Sequence, residues 1–204
     1  MQQYYTLHVA GLTRELPICA VSDTLNIAAF IMFSDVELTV ASAKELIKKA
    51  PPCDVLITAE SKGIPLAYEM ARQLGIRYVV ARKSVKVYTI DPIEVEVQSI
   101  TTKGSQKLYL GRDEVELLNG KRVLIVDDVI STGESLKALE ALVEKAGGKI
   151  VGQAAVLAEG DAADRKDIFY LEKLPLFNAD GTVNQGSTGG PTWDTYTFKG
   201  EGVE

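Results

Sequence analysis

Histidine is nearly missing: His8 is the only one in 204 residues, so histidine-ligated metal sites and nucleophilic triads with a histidine base would all rest on one residue near the terminus. Those chemistries are set aside. Cysteine is almost as scarce. Cys19 and Cys53 have no metal-ligand spacing and follow no secretory leader, which fits inert packing residues in a reducing, cytoplasmic compartment. A chain of this length buries a core without such staples. Long apolar runs are lacking too: the longest, over 25–33, is interrupted by Asn26 and falls short of the ~20 residues that cross a bilayer, so neither membrane insertion nor export is expected. Positive charge is not in excess. A net charge of −6 and a sequence pI near 5.0 oppose general binding to nucleic acid, so an anionic ligand must find a local basic cluster.

What is present is the rhythm of an α/β sheet. Between about 39 and 160, helical periodicity alternates with short apolar runs, as in parallel strands joined by crossover helices. Val40, Ala43, Leu46 and Ile47 predict a helix over 39–50, with Ser34 or Asp35 near its start and Pro51-Pro52 at its stop. A strand over 54–58 precedes a second helix over 65–74 that Gly75 ends, and 78–81 is another buried strand. Over 87–110 the period falls to two, with Ile93, Val95 and Val97 alternating with Glu94, Glu96 and Gln98. That predicts a long hairpin arm turning near Lys103-Gly104-Ser105. Residues 123–126 make the most hydrophobic strand, followed by an acidic pair, a loop of small residues and a helix over 134–146. A last central strand is expected over 150–158. Beyond Phe177 the composition shifts to Gly, Thr and Asn, and 186–204 reads as a flexible, peripheral, glycine-rich tail, natural or appended.

Four predicted strands end in polar clusters: Glu60-Ser61-Lys62-Gly63, Arg82-Lys83, Asp127-Asp128 and Glu159. In an open parallel sheet these carboxyl ends share one crevice, and the site is expected there. Two carboxylates leaving a buried strand supply acceptors for hydroxyls or a hydrated metal, and Ser131-Thr132-Gly133-Glu134-Ser135 at a helix start supplies N–H donors for phosphate. A phosphorylated ribose carries both features. Gly133 lets backbone approach closely, and the loop lacks the Gly-Lys-Ser/Thr of a nucleoside-triphosphate loop.

The run from Val123 through Asp127 and Asp128 to Gly133 closely resembles the signature of the type I phosphoribosyltransferases, and the resemblance spans about 24–177. It is closest to adenine and xanthine phosphoribosyltransferases and the purine-operon repressor domain. The resemblance implies a twisted, mainly parallel sheet flanked by helices, a hairpin arm over the active site and a small hood from about 1–38 plus the C-terminal segment, in a single domain over 1–185. It implies that Asp127 and Asp128 hold the ribose hydroxyls of phosphoribosyl diphosphate, and that Ser131, Thr132, Gly133, Glu134 and Ser135 hold its 5-phosphate. Glu60, Ser61, Lys62 and Gly63, with Arg82, Lys83 and Lys86, would take the diphosphate, which carries Mg2+. Lys103, Gly104 and Ser105 would belong to a mobile loop. Leu25-Asn26 resembles a base-contacting pair of the xanthine enzyme, and a homodimer is expected. Thr101-Thr102-Lys103-Gly104 stands where adenine-specific members carry a glutamate before an aromatic-glycine pair, which shifts the reading toward xanthine-type or repressor-type arms.

Blander readings stand beside these. Strand-end carboxylates commonly suit a following helix dipole, and Arg82, Lys83 and Lys86 read equally as a solvated basic turn. An asparagine in an apolar run is more often a structural hydrogen-bonding residue than a base reader. Tyr88 and Tyr109 read as packing at the base of the arm, and Glu159 and Asp161 as turn caps. The expected activity is purine salvage, a purine base displacing diphosphate to give a nucleoside monophosphate. The alternatives are a regulatory protein that binds phosphoribosyl diphosphate without catalysis, or transfer to orotate.

Overall fold

The computed structural model describes residues 2–98 and 105–184. The chain opens with three strands, β1 (Tyr4–Val9), β2 (Leu12–Ala20) and β3 (Leu25–Ala28). Helix α1 (Val36–Lys49) then starts three residues earlier than its apolar spacing predicts, because the Asp35 carboxylate accepts the Leu38 N–H at 3.0 Å and sets the first turn. Strand β4 (Val55–Ala59) follows, then α2 (Ile64–Leu74), with Pro65 in its first turn and Gly75 closing it in the left-handed conformation at φ 68°. Strands β5 (Arg77–Ala81), β6 (Ile93–Gln98) and β7 (Ser105–Leu110) lead to a short α3 (Arg112–Leu118). The second half holds β8 (Arg122–Ile130), α4 (Glu134–Lys145), β9 (Lys149–Glu159), a 3-10 turn (Gly160–Asp164), β10 (Phe169–Leu174) and β11 (Leu176–Asn178).

The main sheet has the order β10-β9-β8-β4-β5, and each neighbouring pair is parallel. Strand β4 is buried throughout, as a central parallel strand covered on both faces must be. On one face Leu38 and Leu46 of α1 and Leu66 and Met70 of α2 pack on Leu56, Leu124 and Val126. On the other, Leu136, Leu139 and Leu142 of α4 meet Ile57, Val123 and Ile125, together with Leu108 and Leu110 of the arm. A second, antiparallel sheet of order β1-β2-β3-β11 is the hood. Its Leu7, Leu16 and Phe177 share the α1/α2 core, and Arg14 ties β2 to the cap of α1 through Asp35 at 2.6 Å.

Further features depart from the sequence expectations. Strand β8 continues to Ile130 because its pairing with β9 runs on to Ile130↔Ala158, so the acidic pair lies inside the strand rather than beyond it. The arm begins at Ile93, not at 87; residues 86–89 form a turn closed by the Thr89 N–H on the Lys86 carbonyl, and Tyr88 is 68% exposed rather than packed. Helix α3 was not foreseen, since it is only seven residues long and starts at Gly111, which offers no capping side chain. Past Phe177, within the expected domain, the Asn178 carbonyl accepts the Gly181 N–H and the Asn184 N–H returns to the Leu176 carbonyl. The tip residues Lys103 and Gly104 and the tail over 186–204 lie outside the described residues. Among the described residues no helix is long and apolar enough to cross a membrane.

Candidate active site

Because the main sheet is parallel, β4, β5, β8 and β9 deliver their polar ends to one edge. Asp127 and Asp128 sit in the second half of β8, the Asp127 carboxylate accepting the Asp128 N–H at 2.9 Å. Asp128 is 2% exposed, and its Oδ2 lies 3.4 Å from Lys62 Nζ. That is an ion-pair distance without hydrogen-bond geometry, and Oδ2 has no hydrogen-bond partner. Burial, with the adjacent Asp128 carboxylate, raises the Asp127 carboxyl well above the usual carboxylate range. The site therefore holds acceptor oxygens in a place where ionisation is resisted.

The turn after β4 fits against this pair only because residue 63 has no side chain. A Cβ on Gly63 would stand 2.4 Å from Thr58 Oγ1 and 3.0 Å from Asp127 Oδ1. Glu60 of the same turn accepts the Lys83 N–H at 3.0 Å and lies 3.6 Å from Arg82 Nε, while the Glu60 N–H donates to the Ala81 carbonyl. Those contacts, the backbone hydrogen bond first, lower its pKa below the ordinary value. Glu60 thus clamps the ends of β4 and β5 together. Arg82 is further fixed by reciprocal backbone hydrogen bonds with Tyr109, whereas Lys86 Nζ reaches the Ser84 hydroxyl at 2.8 Å on an outlying turn.

Ser131, Thr132, Gly133, Glu134 and Ser135, with Asp127, line a cavity of about 110 Å³. Gly133 takes φ +78° immediately before α4 and supplies no side-chain cap, so the positive end of a twelve-residue helix opens on the cavity. Glu159, expected to cap a turn, instead has its carboxylate on the Ser131 hydroxyl and near Lys62; burial raises its pKa against these two influences. The parallel register was the signal, since β8 and β9 end side by side. A larger hollow of about 170 Å³ lies between Arg82, Tyr88 and α3, but it contains neither the acidic pair nor the helix-start loop. Leu25 and Asn26 stand apart in the hood. There the Asn26 amide donates to the Asn178 carbonyl at 3.1 Å and the Ala179 carbonyl at 3.4 Å. Ser105 begins β7.

The family model described as "Phosphoribosyl transferase domain" matches residues 39–182. The chain is 39% identical over 132 residues to a hypoxanthine/guanine phosphoribosyltransferase of Methanococcus voltae, covering 64% of this chain and 67% of that one. It is 37% identical over 146 residues to an adenine phosphoribosyltransferase of Rhodococcus jostii, covering 71% and 78%. The crystal structure of adenine phosphoribosyltransferase from Thermoanaerobacter pseudethanolicus superimposes with a TM-score of 0.60 at 27% identity, over 70% of this chain and 84% of that one.

Proposed function

The chain belongs to the phosphoribosyl transferase domain family and is a purine phosphoribosyltransferase, and on that premise we propose that it joins adenine or xanthine to 5-phosphoribosyl diphosphate. The observation that carries the reading is the pair Asp127-Asp128 set beside the cavity lined by 131–135, with Lys62 against Asp128. The carboxylates accept from the two ribose hydroxyls, and the opening of α4 holds the 5-phosphate. Lys62, Arg82 and Lys83 face the diphosphate, while Ser61 and Gly63 lend backbone and Glu60 holds the two turns in place. The C1–O bond to diphosphate breaks as a C1–N bond to the purine forms, and the ring N–H proton is released. Alignment of the sugar between two fixed ends, in a site whose dipoles are already oriented, lowers the barrier without a covalent enzyme intermediate.

Among the described residues no three His, Cys, Asp or Glu side chains converge as a metal site, while one buried carboxylate oxygen, Asp128 Oδ2, has no hydrogen-bond partner. That donor set fits a Mg2+ carried in on the diphosphate, which Asp127 and Asp128 would hold through water. When bound, the ion supplies charge neutralisation to the leaving group. A homodimer is part of the same proposal.

The test mixes the protein with Mg2+, phosphoribosyl diphosphate and, in turn, adenine, xanthine, hypoxanthine, guanine and orotate, and follows nucleotide formation. Adenosine or xanthosine monophosphate is the expected product. Binding of the activated sugar with no turnover of any base would replace this reading with the regulatory one, and turnover of orotate alone would move the enzyme to pyrimidines.

A further inference from the structure

Strands β8 and β9 stay in parallel register to Ile130↔Ala158, so Ser131 and Glu159 are the next residues out, leaving the two central strands side by side. The Ser131 hydroxyl hydrogen-bonds the half-buried Glu159 carboxylate. A serine hydroxyl has one proton to donate. With that proton on Glu159, the side chain of Ser131 has none for a phosphate, although Ser131 opens the loop lining the cavity. Nor can Glu159 meet the phosphate itself, since two anions repel at that range.

We infer that Glu159 is a positioning residue: acting through the Ser131 hydroxyl, it pins the first residue of the phosphate loop to the end of β9 and so sets the curvature in which the backbone from 131 to the start of α4 receives the 5-phosphate. Lys62, which is near Glu159 and 3.4 Å from Asp128, balances the charge that this strut brings to a site built for anions. The strut explains why an acidic side chain is tolerated beside the phosphate loop. Its charge is held by a hydroxyl on one side and an ammonium on the other, and the loop gains a fixed origin in place of a direct side-chain contact.

The inference rests on the proposed binding of a phosphorylated pentose, so the experiment measures that binding directly, by calorimetric titration of the full-length chain with ribose 5-phosphate. Glu159→Ala should weaken binding about tenfold, as loss of a hydrogen bond to a charged group does, and raise KM for phosphoribosyl diphosphate while kcat stays within about threefold. Glu159→Gln, which keeps an acceptor oxygen, should restore most of the affinity. Ser131→Ala should match Glu159→Ala, and the double variant should be no worse than either alone. Glu159→Asp keeps the charge but cannot reach the hydroxyl, and should show the same loss, which keeps the question open to test if the alanine variant does not fold. Affinity unchanged or raised in Glu159→Ala or Glu159→Asp would overturn the strut, a rise meaning that the freed hydroxyl donates to phosphate itself. A wild-type protein that does not bind ribose 5-phosphate would remove the functional reading, and the strut with it.

Discussion

Asp127 is held where its charge is least welcome. Burial and the neighbouring Asp128 carboxylate raise its pKa well above the ordinary value, so the folded chain grips the proton more tightly than the open chain does. That contribution to stability is complete below the ordinary carboxylate range and is lost as pH rises from there toward the raised value. Above the ordinary carboxylate range the group therefore counts against folding. Asp127→Asn removes the charge yet keeps an oxygen for the Asp128 N–H, and is expected to raise Tm by about 2–4 °C, on the order of 1 kcal/mol, while turnover falls about a hundredfold or more. Thermal melts over a pH series and steady-state kinetics check both; a lowered Tm with intact turnover would contradict the assignment. Residue types at this scale were readable, but their partners were not. Glu60 belongs in sequence to a diphosphate turn, yet its carboxylate faces Arg82 and the Lys83 N–H, and Asn26 donates to carbonyls of residues 178 and 179, more than 150 positions away. No local pattern carries such distances.

The turn from β4 to α2 works as an element through the space that Gly63 leaves. Its φ of −75° suits any residue, so the glycine is required by proximity and not by backbone strain. Gly63→Ala would drive a Cβ to 2.4 Å from Thr58 Oγ1 and 3.0 Å from Asp127 Oδ1, shifting the turn off the acidic pair. The expected loss is about 1–3 kcal/mol of stability, as for overpacking elsewhere, with KM for phosphoribosyl diphosphate raised about tenfold. Denaturant titration and initial rates measure the two, and a variant with wild-type values in both would show that the turn yields without consequence. Elements with a wide apolar stripe and clear stop signals, α1, α2 and α4, were legible from spacing, as were β4 and β5. Helix α3 was not, because it buries only Leu118 fully and carries no side-chain cap. Strand β10 was hidden by Glu172 and Lys173 in its middle, both exposed at the edge of the sheet.

Across the whole molecule the hood and the main sheet share one core, so the two should unfold together. Phe177 is 2% exposed in β11, lies edge-on to Tyr5 with ring centroids 5.5 Å apart, and belongs to the same cluster as Leu56 and Met70 of the main domain. Phe177→Ala should remove about 3–5 kcal/mol in a single cooperative denaturant transition; a separate early transition would mean that the hood is held only by its own strands. The parallel sheet, the acidic pair and the helix-start loop were determined by the sequence alone, because period, strand chemistry and a turn's glycine are set by residues within a dozen positions of one another. Only the tertiary structure decided that Lys62 meets Asp128 and that Glu159 meets Ser131. It also set the register in which β11, the C-terminal part of the expected hood, pairs with β3. Those pairings join segments from 28 to 150 or so positions apart, and their geometry follows from strand register and packing, which no short stretch of chain encodes.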